Sequence, residues 1–220
     1  MMLNQAAMSK VSNHRVACVT GGAKRIGRAL VLALHQANYN IIIHYHTSES
    51  EAIELVDYCN AIRPQSAKSV QGDLEDFETL PQLTWRIINS FGRLDCLVHN
   101  ASRFYPTPFG QISQQDWQNL FLTNAQTPLF ISQYLYPYLK KSQGCIISIL
   151  DIHANGKPFG GYTVYNMAKA AHQMMVQSLA IELAPDIRVN GIAPGINILP
   201  IEGSEQALTT DTVEKISHAV

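Results

Sequence analysis

The sequence predicts a doubly wound α/β fold, in which a parallel sheet lies between two layers of helices. Three observations point there. Short apolar runs alternate with longer segments of helical periodicity. A glycine-rich turn, Thr20-Gly21-Gly22-Ala23-Lys24-Arg25-Ile26-Gly27, joins the first run to the first helical segment. The 220 residues carry no internal repeat, low-complexity segment or linker. One domain over residues 15–220, after a loose, mostly polar tail of residues 1–14, is therefore the economical reading.

The elements follow in order. Val16–Val19 reads as a short buried strand, and the glycine turn after it opens the helix Gly27–Ala37. Tyr39–Ile43 is the second strand, with Ser48 placed to cap a helix over Glu49–Ala61. Ala67–Val70 is the third, followed by a helix over Glu75–Ser90. Cys96–Val98 leads into a helical segment over Ser113–Leu139, where Pro137 marks a helix drawing to its close. Cys145–Leu150 is the fifth strand, Tyr162–Leu183 the next helix, and Ile187–Ala193 the sixth strand. Such alternation favours right-handed crossovers and places ligands beyond the carboxyl ends of the strands.

Composition sets bounds on function. Hydrophobic residues make up 46% and charged residues 15%, and the formal net charge is -1. That balance gives no global field for nucleic acid or an anionic membrane. No apolar run is long enough to span a bilayer, and the first residues lack the apolar centre of a signal peptide. The cysteines at 18, 59, 96 and 145 form no Cys-x-x-Cys pair, so buried thiols in a reducing, cytoplasmic setting are expected.

The residues after each strand carry the chemistry. The glycine turn forms an anion cradle, because the free N–H groups and dipole of a helix start favour a phosphate there. After the second strand comes His44-Tyr45-His46-Thr47-Ser48, without the acid that would hold the ribose hydroxyls of NAD, so a 2′-phosphate and NADPH are favoured. His44 and His46 have no third partner of matching spacing, so no metal is expected. After the third strand, Gly72-Asp73-Leu74 is suited either to an adenine amino group or to capping the helix at Glu75. After the fourth come His99-Asn100-Ala101-Ser102-Arg103-Phe104, where small residues admit a cofactor. Phe104 is either a stacking plate for a flat ligand or a plug for its loop. After the fifth stands Asp151, a cap or a working group. Tyr165 and Lys169, four apart on one helix face, form a proton-donor pair in which the ammonium is expected to lower the phenol pKa. Tyr136 and Lys140 share that spacing but follow no strand end. Pro194-Gly195-Ile196-Asn197 closes the list, as an ordinary loop or a seat for a carboxamide.

In order, Thr20-Gly21-x-x-x-x-x-Gly27, Asp73, Asn100-Ala101, Asn124, Tyr165-x-x-x-Lys169 and Pro194-Gly195 resemble the short-chain dehydrogenase/reductase family, from Val16 to Leu199. Within it the chain is most similar to pteridine reductases, through Arg25 in the glycine turn, His44-Tyr45-His46, Asn100 to Pro108, and Asp151 where serine is usual. The resemblance implies a Rossmann-type fold with NADPH/NADP as cofactor. It also implies roles. Gly21, Arg25, Ile26, Gly27, Tyr45, His46, Thr47, Ser48, Asp73, Leu74, Asn100, Ala101, Ser102, Tyr165, Lys169, Pro194, Gly195 and Asn197 would touch the cofactor. Arg25, Phe104, Asp151 and Tyr165 would touch the substrate, with Phe104 sandwiching it against the nicotinamide. Asp151, Tyr165 and Lys169 would deliver the proton, and Asn124 would keep Lys169 in place through a water on its main chain.

The implied activity is reduction of a pterin, dihydropterin or folate ring by a homo-oligomer, a tetramer or dimer. The alternatives are a generic carbonyl or 3-oxoacyl reductase, and an NADP-binding module. Two departures bear on this. Thr47 stands where the pteridine reductases often have arginine. Residues Ile198 to Val220 carry no pattern for the family's usual last strand, so the sheet is expected to stop at its sixth strand.

Overall fold

A computed structural model describes residues 12–154 and 156–195. Their six strands form one parallel sheet in the order β3-β2-β1-β4-β5-β6. The strands are β1 Val16–Val19, β2 Asn40–Tyr45, β3 Ala67–Gln71, β4 Cys96–His99, β5 Cys145–Ile149 and β6 Arg188–Ile192. The helices are α1 Arg25–Gln36, α2 Glu49–Ile62, α3 Leu80–Phe91, α4 Gln114–Phe121, α5 Thr127–Ser142 and α6 Thr163–Glu182. The order reverses between β1 and β4, the switch point at which doubly wound sheets open a crevice. The expected three-layer fold is therefore present. The sequence beyond residue 195, where the missing last strand was sought, lies outside the described residues.

The strands are apolar on both faces because both are covered. Val16, Cys18, Ile42, Leu97 and Ile146 point into one core with Leu83 and Ile87 of α3, Ile131 and Leu135 of α5, and Val176 of α6. Their neighbours Ala17, Val19, Ile41, Ile43, Cys96 and Val98 point into the other, with Val31 of α1 and Leu55 of α2. Burial on both sides explains why these runs are continuous and not alternating. All four cysteines are free and buried, and burial pushes the Cys18 thiol up to about 12.

Four of the differences from the sequence reading have a local reason. β2 runs on to Tyr45, paired with β3 through His44↔Val70 and Tyr45↔Gln71. α3 begins at Leu80, not Glu75, because the Asp73 side chain accepts the Glu75 N–H at 2.9 Å and holds a turn instead. The segment expected as one helix over Ser113–Leu139 is α4 and α5 joined by a π-helical turn, Leu122–Gln126. Finally, α5 continues through Pro137 to Ser142, so that proline lies inside the helix.

At the amino ends of the strands, Asp95 fastens the sheet. Its carboxylate accepts the Val16 N–H at 2.8 Å and takes a bidentate pair from Arg93 at 2.9 and 2.6 Å. Ser12 packs there too, donating its N–H to the Phe91 carbonyl at 2.9 Å. Asp95 is only 6% exposed, so Asp95→Ala leaves a buried N–H and a guanidinium without their acceptor. It is expected to cost roughly 2 to 3 kcal/mol in urea unfolding; a loss below about 0.5 kcal/mol would show that the carboxylate does not fasten β1.

Candidate active site

The glycine turn and the end of β4 are built as one unit. Thr20 Oγ1 donates to the Val98 carbonyl at 3.2 Å and accepts the N–H groups of Asn100 at 3.0 Å and Ala101 at 3.1 Å. Asn100 Nδ2 donates to the carbonyls of Thr20 and Gly21 at 2.9 and 3.0 Å. Gly21 has a left-handed φ of +60°, and an added Cβ would press the Ala101 Cα at 3.1 Å. At Gly27 a Cβ would collide with the Gly21 carbonyl and lie 2.7 Å from Asn100 Nδ2. These contacts require Gly21, Gly27, Asn100 and Ala101 as they stand, and they expose a helix start beside the crevice.

His44 holds the cradle from behind. The Gly21 N–H donates to its Nδ1 at 3.2 Å, so Nε2 carries the proton and donates to the Gly72 carbonyl at 3.1 Å. Burial pushes its pKa down to about 4, which keeps the ring neutral and this tautomer fixed. Tyr45 is likewise in the strand and buried, with its hydroxyl 3.5 Å from Glu49. His46 is exposed and faces Asp73 at 3.7 Å. Thr47 is exposed, and Ser48 occupies the N-cap of α2 without making the expected side-chain cap bond. Lys24 carries a cation to the head of α2, 2.6 Å from Glu51. His46, Gln71, Gly72, Asp73 and Arg86 line a polar cavity of about 370 Å³ at the ends of β2 and β3. Leu74 is in the core, its carbonyl accepting from Thr127 at 2.7 Å.

Asp151, Tyr165 and Lys169 come together at the end of β5 and the head of α6. Tyr165 donates its hydroxyl to Asp151 Oδ2 at 2.7 Å, while Asp151 Oδ1 accepts the His153 N–H at 2.8 Å. Lys169 is 3% exposed, donates to the Ile149 carbonyl at 3.0 Å, and lies 5.9 Å from the centre of the Tyr165 ring. Burial pushes the Lys169 pKa down to about 8, against the pull of Asp151. The expected lowering of the phenol pKa is not found. Burial, with the Asp151 charge and hydrogen bond, pushes Tyr165 well above the usual tyrosine range. The phenol is thus held protonated, a donor whose proton already points at a carboxylate.

Phe104 joins an aromatic wall. It stacks on Tyr162 at 4.5 Å and 12° and meets Tyr165 edge-on at 4.8 Å. One face is therefore engaged by the protein itself, as the plug reading requires. The wall is fixed by Thr107, which the sequence reading missed. Thr107 donates its N–H to the Gly161 carbonyl at 2.7 Å, and its hydroxyl accepts the Val164 N–H at 3.3 Å, capping α6 from another loop. Its signal was its place between Pro106 and Pro108, which forces an extended backbone. Asn124, 1% exposed in the π-helical turn, accepts from Ser102 at 2.6 Å and donates to the carbonyls of Arg103 and Leu120 at 2.9 and 3.0 Å. Its side chain thus serves the Phe104 loop. Pro194 reaches the site, accepting the Ile152 N–H at 3.4 Å, and Gly195 lies beside Ile152. Asn197 lies outside the described residues. Tyr136 and Lys140 are remote, with Lys140 paired to Asp186 at 2.8 Å.

Comparison with known proteins bears on this geometry. The family model described as short chain dehydrogenase matches residues 15–205. The chain is 36% identical over 223 residues to pteridine reductase 1 of Leishmania tarentolae, covering 84% of this chain and 77% of that protein. It is 30% identical over 204 residues to 1,2-dihydroxy-1,2-dihydronaphthalene dehydrogenase of Pseudomonas putida, covering 90% and 75%. It is 29% identical over 182 residues to hydroxynaphthalene reductase-like protein Arp2 of Metarhizium anisopliae, covering 82% and 67%.

Arg25 opens α1 with a left-handed φ of 50°, a conformation that disfavours any side chain with a Cβ. Glycine relieves this and alanine does not, so Arg25→Gly should exceed Arg25→Ala in unfolding free energy by roughly 1 kcal/mol. Equal stabilities in urea titration would show that the turn carries no such strain.

Proposed function

The chain belongs to the short chain dehydrogenase family, and on that premise we propose that it is an NADPH-dependent reductase of a pterin or dihydropterin ring. The observation that carries the proposal is the Tyr165–Asp151 hydrogen bond of 2.7 Å beside the Phe104 aromatic wall, with Lys169 buried beneath it. A phenol held protonated against a carboxylate suits delivery of a proton to a ring nitrogen, and flat aromatic walls suit a fused heterocycle.

The cradle fits a dinucleotide. Gly21, Ile26 and Gly27 would lie along the pyrophosphate, the two glycines letting the turn pack against Ala101 and Asn100 beside the helix start. Asn100 and Ala101 would line its path, and Asp73 with the cavity at the ends of β2 and β3 would take the adenine end. His46, Thr47 and Ser48 offer a polar surface for a 2′-phosphate, with Lys24 paired to Glu51 nearby. Pro194 and Gly195 would flank the nicotinamide, and Lys169 its ribose. When bound, the nicotinamide supplies the hydride. Tyr165 would give its proton to the reduced ring and regain one from solvent, the Asp151 carboxylate would orient that hydroxyl, and the Lys169 ammonium would stabilise negative charge left on the phenol. Arg25 would lie between the phosphates and the ring.

A homo-oligomer accompanies this reading. Met167, Met174 and Ile181 recur every seventh residue on α6 and are 45, 59 and 82% exposed, with Leu129 of α5 also exposed at 40%. Sedimentation should find a dimer or tetramer; a monomer at micromolar concentration would remove that part. The buried free thiols and the absence, among the described residues, of a helix long and apolar enough to cross a membrane support a cytoplasmic setting.

The deciding assay is oxidation of NADPH driven by 7,8-dihydrobiopterin. We expect turnover, and we expect Tyr165→Phe to lower kcat by at least about 100-fold while leaving NADPH affinity intact. Turnover of a simple ketone or a naphthalenediol in place of the pterin would overturn the substrate assignment. The rate should fall as pH rises through about 8, where Lys169 loses its proton; a rate flat to pH 10 would remove the ammonium from the proton path.

A further inference from the structure

The loops that follow β3 and β4 are tied together, although β2 and β1 stand between those strands in the sheet. Arg103 reaches across from the β4 loop. Its Nη2 donates to Glu75 Oε2 at 2.8 Å and its Nε to Glu75 Oε1, a bidentate fork. Glu75 is anchored in turn. Its N–H donates to the Asp73 side chain at 2.9 Å, and its carboxylate accepts the Thr123 hydroxyl at 2.8 Å. The Leu74 carbonyl before it accepts the Thr127 hydroxyl at 2.7 Å. Arg103 is held at its main chain as well, where its carbonyl accepts Asn124 Nδ2 at 2.9 Å. Thr123 and Asn124 are consecutive residues of the π-helical turn, and both are buried. One fixes the acid, and the other fixes the carbonyl of the arginine. Phe104 is the next residue along the chain.

A half-exposed ion pair contributes little to stability by itself, and the Arg103 side chain is 44% exposed. What the fork supplies is geometry. Two parallel bonds fix the plane and direction of a guanidinium, while Asn124 fixes the carbonyl of the same residue. The chain therefore enters the aromatic wall from a residue held at both its side chain and its main chain. We propose that Glu75 is a positioning residue for the substrate: acting through Arg103, it sets where Phe104 stands in the wall. Glu75 lies on the turn that carries Asp73, so the loop proposed to seat the adenine and the loop proposed to face the substrate share one anchor. This rests on the proposed binding of a flat ring against Phe104. A wall of that kind holds ground state and transition state alike, so loss of the anchor weakens substrate binding and spares the chemical step.

The test uses the full chain with Glu75→Gln, which keeps an oxygen for Thr123 and loses the charged fork, with Arg103→Met, and with the two together. Glu75→Gln should raise the pterin KM about tenfold, with kcat and the NADPH KM within about twofold of the parent. Arg103→Met should do the same. The double variant should be no worse than either, since one residue acts through the other. A second readout needs no substrate. Trypsin should cut the Arg103–Phe104 bond of Glu75→Gln about tenfold faster than that of the parent, at an unfolding temperature within a few degrees of it. An unchanged pterin KM overturns the proposal. So do additive effects in the double variant, a loss confined to kcat or to NADPH binding, or a bond cut at the parent rate. If Glu75→Gln does not fold, Arg103→Lys, which keeps the charge and the cleavage site but not the fork, must show the faster cut; the parent rate there overturns the proposal. A parent protein inactive on pterins would overturn the proposed reaction, while the rate of that cut still decides the role of Glu75.

Discussion

The reciprocal bonding of Thr20 and Asn100 is the constraint on which the rest of the crevice depends. These residues end neighbouring strands whose chains then leave in opposite directions around the sheet. Without a tie, that divergence would leave main-chain groups of both loops unpaired at the mouth of a buried sheet. Thr20 and Asn100 satisfy five such groups between them: one hydroxyl bond to Val98, two N–H groups received, and two carbonyls bonded. The tie draws the turn so close that only glycine fits at Gly27. It also sets the start of α1 beside the crevice, where a helix dipole favours an anion. The cradle proposed for a phosphate is thus a consequence of how two strand ends are sealed.

The proton-transfer group depends on the same economy of burial. Lys169 is nearly inaccessible, and a lone ammonium there would be expelled or neutralised. The Ile149 carbonyl and the Asp151 charge keep it only partly so, which is why its pKa settles near 8 and not lower. The same low-dielectric surroundings act on Tyr165 with the opposite result. Loss of water penalises its anion, and a carboxylate neighbour penalises it further. Burial therefore pushes two adjacent groups toward their neutral forms, with Asp151 opposing the push on the lysine and adding to it on the tyrosine. One carboxylate poises both.

The sheet was legible because burial on both faces writes itself as continuous apolar runs. β1 matches its expected bounds, and β3 to β6 differ by one or two residues at their ends. What was not legible depended on partners distant in sequence. Asp73 suited either an adenine amino group or a cap at Glu75, but whether it holds a helix or a turn depends on where α3 can begin, and Pro81 in its first turn favours a start at Leu80. The π-helical turn is invisible in periodicity, since one extra residue leaves the apolar spacing of α4 and α5 nearly intact. Within the candidate site, Asp151 and Asn100 were singled out because each follows a strand end, and Tyr165 and Lys169 because their spacing puts them on one face of α6. Thr107 was missed because its partner is the head of α6, more than fifty residues on. The sign of the Tyr165 shift was missed because spacing on a helix reports proximity to Lys169 and says nothing of burial or of Asp151.

Two departures from ordinary folding rules meet at this crevice. Arg25 holds a backbone conformation meant for glycine, and Lys169 buries an ammonium. Each costs stability, and each could be removed by a single replacement that packs as well or better. Left-handed backbone also occurs at Asn38, Gln65 and Gln143, so the Arg25 conformation does not by itself mark a site. Burial of an ammonium is the rarer departure, and it stands beside Asp151, whereas the buried Asp95 is fully paired. The two residues also divide by depth. Arg25 lies at the start of α1 and Lys169 in the wall beneath Tyr165, which is the order in which the proposed phosphate and proton-transfer groups would be met on entering.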